Sequence, residues 1–158
     1  MRGYDAIGQM DADLSHPPEA LARMQEELVR GADLVIGSRY VRGGATSDWS
    51  RVRRLLSQLG SVSARVVLGV PVADLSGGFK VWRASALRTI DVASTISQGF
   101  AFQVETTQRA HRAGLRIVEV PYTFRERRAG ESKMHAGISV EGIRVVLRLR
   151  RNPWPPTR

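Results

Sequence analysis

Two carboxylates lie close together near the start of the chain. Asp11 and Asp13 flank Ala12, directly after residues 5–10, which are predicted to form a short strand. Carboxylate oxygens are hard ligands of the kind that Mg²⁺ and Mn²⁺ prefer, and open α/β sheets bind ligands at the carboxyl ends of their strands. This position predicts a site for one of these divalent cations. The alternative is a plain acidic turn, which such a string often forms by chance.

Basic residues occur in two further segments that could meet phosphate groups. Arg39 follows the apolar segment 34–37, where a guanidinium could reach a phosphate held by the metal. Residues 127–133 form a basic stretch with a glycine and a hydroxyl, and they contain one of the only two lysines. The alternatives are a surface arginine in a turn and a solvated run of charge. Together, acids for a metal and cations for phosphates would suit a transfer from a phosphate ester or diphosphate.

The elements expected to position these residues alternate between strands and helices. The strand at 5–10, a helix that begins near Pro17 and ends at Gly31, and a strand at 34–37 predict a βαβ unit and a parallel sheet. Further along, the pattern predicts a helix over 51–68, a glycine-centred turn at 74–80, a helix near 102–113, a strand at 116–120 that Pro121 breaks before 122–124 resume it, and a helix over 138–151.

Composition excludes several classes of protein. The 158 residues include 24 Lys or Arg and 15 Asp or Glu, a net charge of +9, and residues 125–158 alone hold nine basic and three acidic residues. The absence of cysteine excludes disulfides, thiolate metal sites and a cysteine nucleophile. No apolar run approaches the roughly 20 residues of a membrane span, and the first residues lack the apolar run of a signal peptide. The sequence contains no P-loop or GxGxxG motif, and no histidine has an evident Ser or Cys partner for a hydrolase triad.

Five strings, in this order, carry a family resemblance: DADLSHPPE, GSRYVRGG, DLSGGFKVWR, GFAFQVE and EVPYTFRERRAGESKM. They resemble the dolichol-phosphate or polyprenol-phosphate mannosyltransferases, which are inverting enzymes of the GT-A fold. The resemblance implies an α/β fold with a mostly parallel sheet flanked by helices. Because members of this family begin with another βαβ unit, we expect that first part, which binds the nucleotide, to be missing here. We also expect weak or no GDP-mannose binding by these 158 residues. The implied organisation is a partial GT-A domain over 1–137 and an amphipathic helix with a tail over 138–158.

The resemblance also implies roles for particular residues. Those expected to contact the metal and the sugar-nucleotide diphosphate are Asp11, Ala12 and Asp13, with Asp13 the strongest ligand candidate. Some relatives carry glutamine at the position of Ser15, whose hydroxyl would be a weaker metal ligand. The residues expected to bind phosphates of donor or acceptor are Arg39, Arg127 and Lys133, with help from Ser132. Those expected to shape the pocket near the sugar are Asp74, Gly77 and Gly78.

The implied reaction is transfer of mannose from GDP-mannose to a polyprenyl phosphate, with inversion and with Mg²⁺ or Mn²⁺. The alternatives are transfer of another sugar, such as glucose, to the same lipid phosphate and a truncated, inactive relative that only binds membranes. A nucleic-acid-binding module is disfavoured, because aromatic residues are only 6% and no known motif is present. Helices 51–68 and 138–151 either lie on an anionic membrane or pack in the core. We expect peripheral attachment to the cytoplasmic face of a membrane.

Overall fold

A computed structural model describes residues 3–47, 49–125, 136–151 and 154. The elements in chain order are β1 (Ala6–Gln9), α1 (Ala20–Val29), β2 (Leu34–Ser38), β3 (Ala45–Thr46), α2 (Arg51–Leu68), β4 (Lys80–Arg83), α3 (Ala84–Thr89), a 3₁₀ turn (Val92–Ser94), α4 (Gly99–Arg112), β5 (Ile117–Pro121), β6 (Thr123–Phe124) and α5 (Ala136–Arg151). The expected α/β alternation is confirmed. The predicted residues Arg127, Ser132 and Lys133 lie outside the described residues.

The main sheet has the strand order β1-β4-β2-β5. Strands β1, β2 and β5 run in one direction, while β4 is antiparallel to both of its neighbours. β1 and β2 run in the same direction, as the βαβ pattern predicts, but they are not neighbours, because β4 lies between them. The central position suits β4, since Val81 and Trp82 bury their side chains in cores on opposite faces of the sheet.

Pro121 does not interrupt its strand, as the sequence had suggested, but is the last residue of β5 and is paired in register with Ser38. Proline is tolerated there because β5 is an edge strand of the sheet and needs no donor on its outer side. After Tyr122, β6 leaves the main sheet and pairs with β3 in a separate two-stranded sheet.

Apolar side chains form one core on each face of the sheet. One core lies under α1, where Met24, Val35 and Phe79 are completely buried. The other lies on the opposite face and includes Ile36, Ile90, Val104 and, from α5, Leu149. The sheet is therefore covered by helices on both sides. This layer arrangement is required because the strands carry apolar side chains on both faces.

Helix α2 has an apolar stripe that does not enter either core. Only Ser61 and Ala64 of this helix are buried. Six apolar side chains remain exposed on one face, each with 51–71% of its surface accessible: Val52, Leu55, Leu56, Leu59, Val62 and Val66. Core packing of this stripe, one of the two predicted alternatives, is therefore not what the structure shows.

Candidate active site

Polar side chains gather at one edge of the main sheet. This edge is formed by the carboxyl ends of β1, β2 and β5 together with the start of the antiparallel strand β4. Lys80, the first residue of β4, is accordingly paired in register with Gln9 at the end of β1 and with Ile36 of β2. Ser38 and Pro121 end the two remaining strands there. The edge therefore brings together the turns that carry all the candidate residues within the described part of the chain: Asp11, Ala12, Asp13, Ser15, Arg39, Asp74, Gly77 and Gly78.

A tight turn holds Asp13. Its Oδ1 accepts hydrogen bonds from the backbone nitrogen of Ser15 at 3.1 Å and from the Ser15 hydroxyl at 2.5 Å. Leu14 between them has a φ of 63°, a left-handed conformation that is costly for leucine. Because Ser15 is completely buried and donates to Asp13, its hydroxyl is placed to orient that carboxylate. A role for Ser15 as a metal ligand stays a prediction.

His16 fixes the backbone at Asp11. Its Nδ1 accepts a hydrogen bond from the Asp11 backbone nitrogen at 3.0 Å, and its ring is stacked on Phe79 with centroids 4.9 Å apart. Burial lowers the pKa of His16, and the nearby Asp11 carboxylate opposes that shift only in part. A neutral imidazole can accept at Nδ1, which agrees with this hydrogen bond. The Asp11 side chain itself remains 61% exposed, so it faces the space above the sheet edge.

Arg39 forms a buried ion pair with Asp74. The Arg39 Nε and Nη2 donate to the two Asp74 carboxylate oxygens at 2.8 and 2.7 Å, and the Arg39 backbone nitrogen donates to Asp74 at 2.9 Å. Burial alone would lower the pKa of Arg39, but the hydrogen bond and charge of Asp74 raise it. The guanidinium also lies 5.0 Å from the centre of the Tyr40 ring and 5.6 Å from that of Trp49. Because Asp74 balances its charge, the structure gives Arg39 a positioning role, and phosphate binding by Arg39 stays a prediction.

The loop before β4 is held in place by Glu119 of β5. The two Glu119 carboxylate oxygens accept from the backbone nitrogens of Ala73 at 2.8 Å and Asp74 at 2.9 Å. A Cβ at Gly77 would lie 3.3 Å from the Asp74 carboxylate and from the Gly37 backbone oxygen, so a larger residue there would press against the ion pair. A Cβ at Gly78 would lie 3.8 Å from Asp11 Oδ1, which places this glycine beside the exposed carboxylate. The loop thus lines the space next to Asp11.

The turn at 11–13 is compatible with a divalent cation. No cluster of three or more His, Cys, Asp or Glu side chains that could hold a metal occurs among the described residues. Mg²⁺, however, is usually held by one or two carboxylates while substrate phosphates and water complete its shell. The pair Asp11 and Asp13 fits that donor set.

Residues 3–91, more than half of the chain, match the sequence pattern of glycosyl transferase family 2. The chain belongs to this family. The α/β sheet with helices on both faces is consistent with the GT-A fold. The expectation of a glycosyltransferase fold is thus confirmed.

Three curated relatives are similar to this family 2 chain. It is 50% identical to an undecaprenyl-phosphate mannosyltransferase of Micrococcus luteus, over 93% of this chain and 60% of that protein. It is 44% identical to a polyprenol monophosphomannose synthase of Mycolicibacterium smegmatis, over 84% of this chain and 50% of that protein. It is 33% identical to a dolichol-phosphate mannosyltransferase of Pyrococcus furiosus, over 92% of this chain and 40% of that protein. The chain therefore spans 40–60% of the length of these relatives, and the resemblance stated from the motifs is confirmed.

Sequence reasoning missed four residues that shape the site in this family 2 chain. They are His16, Lys80, Gln103 and Glu119, for which no role was predicted although each lies within one of the five family strings. The available signal was a polar residue at an otherwise apolar position, as in the IVEVP strand that contains Glu119. Such a position often marks a buried polar group whose partner comes from elsewhere in the chain.

Lys80 is the most unusual of these four residues, because its ammonium group is completely buried. Its Nζ donates to the backbone oxygen of Gln103 at 2.7 Å and to the Thr107 hydroxyl at 2.8 Å. Burial lowers the pKa of Lys80 to about 7, although the charge of Asp74 acts in the opposite direction. Lys80 thereby ties the start of β4 to the first turns of α4.

We expect the free energy of unfolding to rise with pH between about 7 and 9.5. In that range the unfolded chain keeps the Lys80 proton, whose pKa is ordinarily 10.5, while the folded chain has lost it. The unfolded state binds one proton more, so raising the pH disfavours it, and the free energy of unfolding increases by up to about 1.4 kcal/mol per pH unit. Urea denaturation followed by circular dichroism at several pH values measures this slope. Lys80→Met should flatten it, and an equal slope in both proteins would contradict the assignment.

Proposed function

We propose that this chain carries the sugar-transfer site of a polyprenyl-phosphate mannosyltransferase, with GDP-mannose as donor and Mg²⁺ or Mn²⁺ as cofactor. The observation that carries the proposal is the pair of carboxylates, Asp11 and Asp13, in a braced turn at the carboxyl end of β1. The names of the three relatives support the lipid phosphate acceptor and the mannosyl group. The donor nucleotide and the metal rest on the motif resemblance.

The proposed reaction is a single displacement at the anomeric carbon. An oxygen of the polyprenyl phosphate forms a bond to C1 of mannose, and the bond from C1 to the diphosphate oxygen breaks with its electron pair leaving on GDP. Because the attacking phosphate is already an anion at neutral pH, no strong general base is required. A bound divalent cation would neutralise the charge that develops on the diphosphate.

The residues of this chain contribute orientation and charge. Asp11 and Asp13 would hold the cation, with His16 and Ser15 fixing their turn. The Arg39–Asp74 pair and Gly77 give the loop beside the donor a rigid shape, and this loop reaches Gly78 next to Asp11. Arg127, Ser132 and Lys133 are proposed phosphate ligands from outside the described residues.

The test is a transfer assay with two lengths of protein. The 158-residue chain, and a longer version that adds the residues of the Micrococcus relative outside the matched stretch, are each given radiolabelled GDP-mannose, polyprenyl phosphate and Mg²⁺. The expected result is label in the lipid phase from the longer version, lost when EDTA is added, and little or no label from the 158-residue chain alone. Label only from UDP-glucose would establish the alternative sugar, and no lipid label from any donor would overturn the proposal.

We also propose that α2 and α5 face an anionic membrane, where the polyprenyl phosphate resides. Besides the six exposed apolar side chains of α2, Ile143 and Leu147 of α5 are 62% and 45% exposed. The two helices lie together, since Arg150 Nη1 of α5 donates to the Val67 backbone oxygen of α2 at 2.9 Å. No helix among the described residues is long and apolar enough to cross a membrane.

Charge and position favour a lipid surface as the occupant of this face. Helix α2 has four arginines and no acid, and Arg144, Arg148, Arg150 and Arg151 of α5 are exposed. An apolar stripe with arginines beside it is the pattern that binds anionic lipid interfaces. The face is also continuous with the site, because the Tyr40 hydroxyl lies 2.6 Å from Ser57 of α2 and Arg53 of α2 stacks on Trp49 at 4.4 Å. An acceptor phosphate at the membrane surface would therefore lie close to the site.

The double change Leu55→Glu and Leu59→Glu should lower binding to phosphatidylglycerol vesicles by about tenfold or more, because it removes inserted apolar area and adds negative charge. Vesicle co-sedimentation measures this, with phosphatidylcholine vesicles as the neutral comparison. The matched control is Val29→Glu with Ile96→Glu, two exposed apolar residues outside this face. Equal binding by the two double variants would contradict the proposal, as would a dimer of the parent protein that only the α2 changes dissociate.

A further inference from the structure

One buried amide has an unused hydrogen-bonding atom beside the carboxylate turn. Gln103, in the first turns of α4, is only 8% exposed, and its Oε1 has no hydrogen-bond partner among the described residues. Its Nε2 lies 3.9 Å from the position that a Cβ would occupy at Gly78, the residue next to Asp11. A buried polar atom without a partner is costly, so its presence calls for a ligand.

The backbone around this amide is held firmly. Lys80 donates to the Gln103 backbone oxygen at 2.7 Å, and the Thr107 hydroxyl donates to the same oxygen at 2.9 Å. Lys80 follows Gly78 by two residues, so the same anchor fixes the glycine loop against α4. The side chain of Gln103 is therefore presented to the corner formed by Gly78 and Asp11 from a rigid element, as precise recognition requires.

The chemistry of an amide selects one kind of ligand. A carboxamide offers a donor and an acceptor side by side, and rotation about its last bond exchanges the two. A hydroxyl group also donates and accepts, whereas a phosphate oxygen could only accept and would leave Oε1 without a donor. In GDP-mannose most of the free hydroxyls lie on the transferred mannose, and the others lie on the ribose of the nucleotide.

From this geometry we infer that Gln103 binds a hydroxyl of the sugar that is transferred and helps to select that sugar. The inference rests on the proposed function, because Asp11 marks the position of the donor diphosphate only if that proposal is correct. A missing hydroxyl would leave the buried amide unpaired, which is the arrangement that discriminates well between substrates.

The test compares two glutamines of the same helix. Gln108 of α4 is also buried with an unpartnered Oε1, but its Nε2 donates to the Leu149 backbone oxygen, so its side chain faces α5. Gln103→Leu and Gln108→Leu are assayed for transfer in the longer protein described above, with GDP-mannose and with GDP-sugars that lack or invert one hydroxyl at a time.

We expect Gln103→Leu to lower kcat/KM for GDP-mannose by about 10- to 100-fold, and Gln108→Leu to stay close to the parent. For one donor that lacks a single hydroxyl, the parent and Gln103→Leu should become equally fast, because the lost partner is the same in both. Should Gln103→Leu not fold, Gln103→Met keeps the length of the side chain without either hydrogen-bonding atom of the amide and must show the same selective loss.

Two results would overturn the inference, and they differ from a failure of the proposed function. The first is an unchanged kcat/KM in Gln103→Leu. The second is a loss in Gln103→Leu that is the same for every donor and no larger than the loss in Gln108→Leu. Either result assigns Gln103 a structural role only. In both cases the parent still transfers mannose. If the parent transfers no sugar from any donor, the proposed function and the inference fail together.

Discussion

Asp13→Ala should lower the rate of mannosyl transfer by about 10²- to 10³-fold, the usual loss when one preorganised electrostatic group is removed from a site of developing charge. Asp13 is the acid whose carboxylate is oriented by two hydrogen bonds from Ser15, and it follows the strand end where a cation would meet the diphosphate. The measurement is the initial rate of label transfer to the lipid phase at saturating Mg²⁺.

Two companion variants make the result specific. Asp13→Asn retains an oxygen that can accept from Ser15 but removes the charge, so it should lose as much activity as the alanine variant while its thermal unfolding stays close to that of the parent. Asp5→Ala, an exposed acid just before β1 at the other end of the same strand, should leave transfer unchanged. Full activity in Asp13→Asn would show that the charge of Asp13 has no part in the reaction.

Asp74→Ala should lower the free energy of unfolding by about 3–5 kcal/mol, because it leaves the Arg39 guanidinium buried without its counter-charge. Asp74 is completely buried, and it accepts from both Nε and Nη2 of Arg39 and from the Arg39 backbone nitrogen. Arg39 itself is largely enclosed, with a side chain that is 11% exposed. Urea denaturation followed by circular dichroism measures the loss.

A surface ion pair provides the comparison. Arg30, whose side chain is 62% exposed, pairs with Glu27 on α1. Glu27→Ala should therefore lower the free energy of unfolding by less than about 1 kcal/mol. Removing both buried charges, as Arg39→Met with Asp74→Leu, should cost less than Asp74→Ala alone, because no unpaired charge remains. A cost below about 1 kcal/mol for Asp74→Ala would contradict the buried pair.

The local elements could be predicted because their signals lie within a few residues. Helix α2 has the predicted bounds, 51–68, since its apolar residues recur at helical spacing and Ser50 and Gly69 provide an N-cap and a left-handed C-cap. The strand before Asp11 and the helix after the two prolines were expected on the same grounds. The predicted domain bounds 1–137 and 138–158 stay predictions.

The packing of α2 could not be predicted, because an amphipathic pattern only says that one face is apolar. The same spacing of Leu55 and Leu59 would serve a helix in the core or a helix on a lipid surface. Only the position of the helix relative to the sheet, with Ala64 inward and the leucines outward, distinguishes the two.

By itself the sequence determined most of the strands and helices, the DAD turn at a strand end and the family, because these depend on local periodicity and contiguous motifs. It did not predict α3 or β4, whose first residue was placed at the end of a glycine-centred turn. The tertiary structure alone decided that β4 lies between β1 and β2, that Arg39 pairs with Asp74, and that Lys80 and Gln103 meet behind Gly78. The physical reason is the same in each case. Arg39 and Asp74 are 35 residues apart along the chain, and Lys80 and Gln103 are 23 residues apart. Local patterns do not reach that far. These groups pair because folding buries them, and a buried charge or amide without a partner is costly.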